Sequence, residues 1–248
     1  MRLVRFHRDG SAGYGILNDG KITVVGGLTD HAPTGESFPA ESARLLAPSV
    51  PTKIVCGGLN YRDHAAEMKL PIPEEPVIFI KPSTAVLDPG GDIICPPSSK
   101  QVEYEGELAA VIGCETKSVT PAEARKCIVG YTCLNDVTAR DLQRKDGQWT
   151  RAKSFDTFCP FGPWIETEFD PGNAVIETVL NGKVVQSSNT SNLIWAVDVL
   201  VSFISQVMTL HPGDVVTTGT PPGIGPMKPG DEVEVRIAGI GSLVNKVK

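Results

Sequence analysis

The sequence predicts an α+β fold in which strands dominate. Short alternating or apolar stretches bounded by turn residues recur along its 248 positions, the pattern of half-buried and buried strands. Asp19-Gly20 and Asn181-Gly182 each separate two such stretches, as in a two-residue hairpin turn. Helical spacing is confined to residues 60–69, 121–126 and 193–208.

Residues 1–51 read as a small N-terminal β-rich module. Leu3-Val-Arg-Phe6, Tyr14-Gly-Ile-Leu17 and Lys21-Ile-Thr-Val-Val25 are its strands, whereas residues 31–51, with four prolines, read as a connector. The first ten residues are charged throughout and lack an apolar h-region, so a secretory signal is not expected. No apolar run approaches the roughly 18 residues of a membrane span. A formal net charge of −6 argues against nucleic acid or an anionic membrane as partner, because either favours a basic face. Cys56, Cys95, Cys114, Cys127, Cys133 and Cys159 lack zinc-site spacing and read as buried, reduced thiols of a cytoplasmic protein.

From residue 52 onward the polar groups gather at the ends of apolar stretches. Lys53-Ile-Val-Cys-Gly-Gly-Leu59 is a strand that stops at paired glycines, and a helix follows with Asn60 as its cap, running up to Pro71. On it His64 and Glu67 are three apart and share a face, so the carboxylate can orient the imidazole; a solvated surface pair has the same spacing. Val77-Ile-Phe-Ile80 reads as a buried strand ending at Lys81. In Val102-Glu-Tyr-Glu-Gly-Glu-Leu108 alternation puts Glu103, Glu105 and Glu107 on one strand face. Three carboxylates there repel one another, and either water, Lys and Arg, or a divalent cation must compensate.

Thr120 and Glu123 form a capping-box pattern ahead of a helix. The apolar stretch Ile128-Val-Gly-Tyr-Thr-Cys-Leu134 delivers Asn135, Asp136, Arg140 and Gln143 at its end, and Lys153 and Asp156 lie among aromatics just beyond. Strand ends hold such groups rigidly. Residues 174–186 read as a hairpin and residues 193–208 as a core helix. The Gly- and Thr-rich stretch 213–225 carries Thr220 and can present backbone N–H groups to an anion, although it has no Walker lysine.

Taken together, Gly58-Leu-Asn-Tyr-Arg-Asp-His64-Ala-Ala-Glu67, Phe79-Ile-Lys-Pro-Ser-Thr84, Tyr104-Glu-Gly-Glu-Leu108, Asn135-Asp-Val-Thr-Ala-Arg-Asp141, Lys153-Ser-Phe-Asp156 and Thr218-Gly-Thr-Pro-Pro-Gly223 resemble, in order and spacing, the fumarylacetoacetate hydrolase family. The resemblance runs from about Pro51 to Lys248 and is nearest to short bacterial enzymes described as 2-hydroxyhepta-2,4-diene-1,7-dioate isomerases, themselves similar to acylpyruvate hydrolases and oxaloacetate decarboxylases. It implies a mixed, β-dominated fold, a catalytic domain over residues 52–248, and a homodimer. It further implies Mg²⁺ or Mn²⁺ held by Glu105, Glu107 and Asp136, with Glu103 behind the ligands or facing solvent. Arg140, Gln143, Lys153 and Thr220 match substrate-binding positions, with Lys81 a weaker match, and His64 with Glu67 matches a catalytic dyad in which Lys153 also takes part.

The implied chemistry is that of a metal-chelated enolate of a 2-oxo acid. From it, water attack hydrolyses an acylpyruvate, reprotonation elsewhere isomerises a 2-hydroxy-diene-dioate, and loss of CO₂ decarboxylates oxaloacetate. Two rivals stand beside this reading. A metal-binding structural protein has no use for His64, Glu67 and Lys153 together, and a phosphate-binding hydrolase would be indifferent to oxalate, an enolate mimic.

Overall fold

Leu108-Ala-Ala-Val-Ile112 is apolar without alternation, and such a strand needs a packed layer on each face. The fold supplies both. The computed structural model describes residues 1–69 and 71–248. Its N-terminal strands are β1 (Arg2–Arg8), β2 (Ser11–Asn18), β3 (Lys21–Val25), β4 (Pro33–Pro39) and β5 (Arg44–Leu46). There follow β6 (Lys53–Gly58), helix α1 (Arg62–Met68), β7 (Val77–Pro82), β8 (Val86–Leu87) and β9 (Asp92–Ile93). The middle of the chain forms β10 (Val102–Tyr104), β11 (Gly106–Ile112), α2 (Pro121–Cys127), β12 (Ile128–Asn135), β13 (Thr138–Ala139), α3 (Arg140–Asp146) and α4 (Thr150–Lys153). The rest comprises β14 (Cys159–Glu166), β15 (Val175–Leu180), β16 (Lys183–Asn189), α5 (Val197–Val207), β17 (Val215–Thr217), β18 (Gly225–Met227), β19 (Glu232–Ile237) and β20 (Gly241–Val247).

The largest sheet runs β4-β3-β2-β1-β14-β12-β11-β17-β6-β7, with β5 on β1 and β8 on β14. It is mixed, since β17 and β6 are parallel while β11 is antiparallel to both of its neighbours. Residues alternate across β11: Leu108, Ala110 and Ile112 enter a core shared with Leu200 and Ile204 of α5 and with the outer sheet, and Ala109 and Val111 enter a second core with Leu3, Ile54 and Phe161. That outer sheet is β16-β15-β19-β20-β9, and a small sheet, β13-β10-β18, lies by the site. At the start of the parallel pair, the buried Asp214 carboxylate accepts from Thr52 N (2.9 Å), Thr52 Oγ1 (2.7 Å) and His211 N (2.8 Å) and pairs with Lys53 Nζ at 2.5 Å. Burial works to raise its pKa, but the Lys53 ammonium and these donors hold it below the usual aspartate range.

Several local expectations hold. Asp19 and Gly20, and Asn181 and Gly182, adopt the positive φ of their hairpin turns, and Thr120 with Glu123 closes a capping box on α2. Others are corrected. Residues 31–51 are more than a connector, because β4 pairs with β3 and β5 pairs with the second half of β1 despite the prolines, which edge pairing tolerates. β7 is an edge strand, paired with β6 alone among the described residues, and its Val77 and Ile80 are exposed. Asn60 does not cap α1; Tyr61 occupies that position, and the Asn60 amide instead bridges Trp195 O and Thr218 O. α1 ends with Lys69 in the left-handed region, and of the expected continuation to Pro71, Leu70 lies outside the described residues. The core helix begins at Val197, with Leu193 in the turn before it. All six cysteines are free thiols, but Cys114 is exposed and Cys95 and Cys127 are partly so.

Candidate active site

The acidic stretch is not one strand. It breaks at Glu105, so that β10 joins the small sheet and β11 the large one. At the break the chain meets the end of β12: Gly106 pairs with Asn135, Glu105 N donates to Asn135 Oδ1 (2.9 Å), and Asp136 N donates to Glu105 O (2.8 Å). This crossing joins segments far apart in the chain into one cluster, in which oxygens of Glu105, Glu107 and Asp136 lie within 4.8 Å of one another, all three side chains buried. Glu103 is also buried, but it turns away from the cluster to accept from Arg140 Nε (2.7 Å) and Gln101 Nε2 (2.5 Å); a solvent-facing Glu103 is thereby corrected.

Three cations pair with three of these four carboxylates. Lys153 Nζ bridges Glu105 Oε2 (2.9 Å) and Asp136 Oδ2 (2.5 Å), and Arg140 reaches both Glu103 and Glu105. Burial disfavours the charge of Glu105, but Lys153 and Arg140 override it and bring its pKa down to about 2. Burial likewise opposes the charge of Lys153, and Asp136 with Glu105 nevertheless raises its pKa above the ordinary lysine range. Lys81, wholly buried, donates to Asp136 Oδ1 (2.5 Å) and Val137 O (3.0 Å). It stands behind Asp136 and is not among the residues that line the cavity.

Glu107 has no cationic partner among the described residues. Its Oε2 accepts the Gly219 N–H (3.0 Å), and burial together with Asp136 and Glu105 pushes its pKa well up. A hard divalent cation fits this donor set: three carboxylates converge, one of them lacks a counter-charge, and oxygen ligands are those that Mg²⁺ and Mn²⁺ take.

The triad forms the floor of a cavity of about 330 Å³. Arg140 and Gln143, three apart on α3, share a wall with Lys153 of α4 and are joined by a 2.6 Å bond from Arg140 Nη1 to Gln143 Oε1. Phe79 and Trp149, edge to face at 5.1 Å, make an apolar wall, and neither ring was singled out by sequence reasoning. His64 enters from α1 and Thr220 from the loop after β17. His64 Nδ1 lies 2.9 Å from Glu67 Oε2, and Glu67 Oε1 accepts from Gly223 N at 3.2 Å. An ionised carboxylate only accepts, so Nδ1 carries a proton toward Glu67 and, in the neutral imidazole, Nε2 is the nitrogen with the free lone pair. The fold thus brings together His64, Glu105, Glu107, Asp136, Arg140, Gln143, Lys153 and Thr220, with Glu67 touching the cavity through His64.

Relatives share both sequence and fold. The profile of the fumarylacetoacetate (FAA) hydrolase C-terminal family matches residues 53–248, and a profile described as Rv2993c-like, N-terminal, matches residues 1–48. A mitochondrial oxaloacetate tautomerase of Bos taurus is 43% identical over 223 residues, covering 85% of this chain and 71% of its own. The solved structure of a 5-carboxymethyl-2-hydroxymuconate delta-isomerase from Mycobacterium smegmatis superposes with a TM-score of 0.92 at 47% identity, over 100% of this chain and 98% of the other. A 2-hydroxyhepta-2,4-diene-1,7-dioate isomerase from Mycobacterium marinum does so with a TM-score of 0.92 at 44% identity and the same coverage. With the profile match spanning the entire cavity, the chain belongs to the fumarylacetoacetate hydrolase family.

Proposed function

We propose that this chain is a divalent-metal-dependent enzyme that moves a proton on a 2-oxo acid or its enol form, by isomerisation of a 2-hydroxy-diene-dioate or by keto–enol interconversion. The observation that carries the reading is the convergence, in one cavity, of a buried carboxylate triad and an imidazole whose proton position is set by Glu67. Glu105, Glu107 and Asp136 would hold Mg²⁺ or Mn²⁺. When bound, the ion supplies Lewis-acid stabilisation to the developing enolate. The names of the relatives, two isomerases and a tautomerase, favour proton transfer.

The side chains divide the work as follows. Lys153 offers its ammonium to an oxygen of the substrate next to the triad, a task suited to a compact point charge. Arg140 and Gln143 orient the acid from the α3 wall, and Thr220 contacts it from the opposite loop. His64 Nε2 takes a proton from the carbon beside the 2-oxo group, the C–H electron pair becomes the new C=C bond, and the C=O π pair moves onto the oxygen. The same nitrogen then returns the proton to oxygen or to a more distant carbon. Phe79 and Trp149 exclude bulk water, which would otherwise compete for these charges. Residues 52–248 would form the catalytic domain and residues 1–51 an appended β module; the cavity draws its lining from residues 57–220 alone.

A second reading, C–C hydrolysis of an acylpyruvate, is favoured by the same His64–Glu67 pair, because a base that takes a proton from carbon can also take one from water. Decarboxylation of oxaloacetate remains its alternative within the same substrate class. The test is a panel of enol and keto oxaloacetate, 2-hydroxy-diene-dioates and acylpyruvates assayed before and after metal chelation. Isomerisation or tautomerisation lost with chelator, restored by Mg²⁺ or Mn²⁺ and inhibited by oxalate is expected; full turnover in excess chelator would sink the proposal.

A further inference from the structure

The peptide between Glu105 and Glu107 is held from outside its own sheet. Gln186, on β16 of the outer sheet and 1% exposed, accepts at Oε1 from Gly106 N (3.0 Å) and from Thr178 Oγ1 (2.6 Å). Its Nε2 donates to Thr220 Oγ1 (2.9 Å) and to Pro221 O (2.8 Å). The amide orientation follows from the partners, because the Gly106 N–H can only donate and the Pro221 carbonyl can only accept. Thr220 closes the ring by donating its own hydroxyl to Gly106 O at 2.9 Å. Space is equally committed: a Cβ at Gly106 would lie 2.1 Å from Thr178 Oγ1 and 3.4 Å from Gln186 Oε1, so only glycine permits the approach.

We infer that Gln186 is a positioning residue for the carboxylate cluster, tying the Gly106 peptide between Glu105 and Glu107 to Thr220 on the cavity wall. The inference rests on the metal-site reading proposed above. Both Gly106 backbone groups are bonded within this ring, so the two flanking glutamates leave the strand break at fixed angles. Thr220 is affected too. Its single proton goes to Gly106 O and one lone pair receives Gln186 Nε2, which leaves its hydroxyl only an acceptor toward the cavity. Gln186 therefore governs two walls of the site without touching a ligand, being absent from the cavity lining.

The probe is Mn²⁺ alone, titrated calorimetrically into the chelator-stripped full chain, followed by oxalate titrated into the Mn²⁺-loaded protein. Gln186→Leu is expected to weaken Mn²⁺ binding about 10-fold to 100-fold, the usual effect of losing a group that orients metal ligands, and to broaden the Mn²⁺ paramagnetic resonance spectrum. Thr178→Val serves where Gln186→Leu does not fold, since it removes one anchor of the same amide away from the cavity; the same changes, smaller, are expected. A variant that melts at lower temperature but binds Mn²⁺ and oxalate as the parent does would show that Gln186 is structural only and would overturn the inference. Absence of Mn²⁺ uptake by the parent chain is a separate outcome, which would overturn the metal reading and this inference with it.

Discussion

Lys153 touches two of the three converging carboxylates, and this contact sets opposite expectations for metal binding and for turnover. In Lys153→Met the ammonium that competes for the same oxygens is gone. Mn²⁺ is expected to bind at least as tightly as to the parent chain, while kcat falls about 10²-fold or more for want of a charge on the substrate oxygen. Weaker Mn²⁺ binding in a folded variant would show that Lys153 builds the cluster and does not serve the substrate. His64 carries a different expectation. His64→Ala should cost isomerisation and hydrolysis roughly 10²-fold to 10⁴-fold, the weight of a general base, and largely spare decarboxylation of oxaloacetate, which needs no base at that carbon. Equal losses in all three assays would assign His64 to holding substrate. The pairing of His64 with Glu67 was legible from the three-residue spacing alone, because helix geometry is local. The place of Lys81 was not: its burial behind Asp136 depends on how β7 lies against the end of β12, residues 55 apart in sequence.

At the scale of elements, the parallel pairing of β6 and β17 is pinned at its start by Asp214, whose carboxylate serves Thr52, Lys53 and His211. Asp214→Ala leaves the Lys53 charge and three backbone donors, Thr52 N, Lys53 N and His211 N, without this acceptor, and a loss of about 3–5 kcal/mol is expected, as when one partner of a buried pair is removed. The pH dependence has a definite sign. The folded carboxyl titrates below the unfolded one, so its contribution is complete above the ordinary aspartate range, about 4, and is lost as pH falls through the lowered folded value. Denaturant melts of parent and Asp214→Asn should therefore differ most at neutral pH and converge in strong acid; a difference independent of pH would refute the assignment. Element identity was legible wherever side-chain contacts are local, as in the Thr120–Glu123 box, the Asn181-Gly182 hairpin and the apolar run of β11. Exposure was not, and β7 shows why. A run of Val, Ile and Phe describes a strand, but whether its faces are covered is decided by which elements pack there.

For the whole molecule, the edge strand β7 leaves Val77 and Ile80 uncovered, and Met68 and Ile72 are exposed nearby in sequence. Such residues on a sheet edge favour association, and a homodimer is expected, with a light-scattering mass near twice the 26.4 kDa of the chain. A mass near 26.4 kDa would contradict it. The sequence by itself determined the strand-rich character, the family and most of the polar residues that meet in the cavity, because periodicity, turn chemistry and ordered motifs are written in neighbouring positions. Alternation even placed Glu105 and Glu107 on one side. Only the tertiary structure decided that the acidic stretch breaks at Glu105, that Gly106 pairs with Asn135 to bring in Asp136, and that Glu103 turns instead to Arg140. It alone drew Gln186 from the outer sheet to the peptide between the two glutamates. The physical reason is common to all four: each is a pairing between segments far apart in the chain, fixed by the need to satisfy buried charges and backbone groups once the sheets have closed over them.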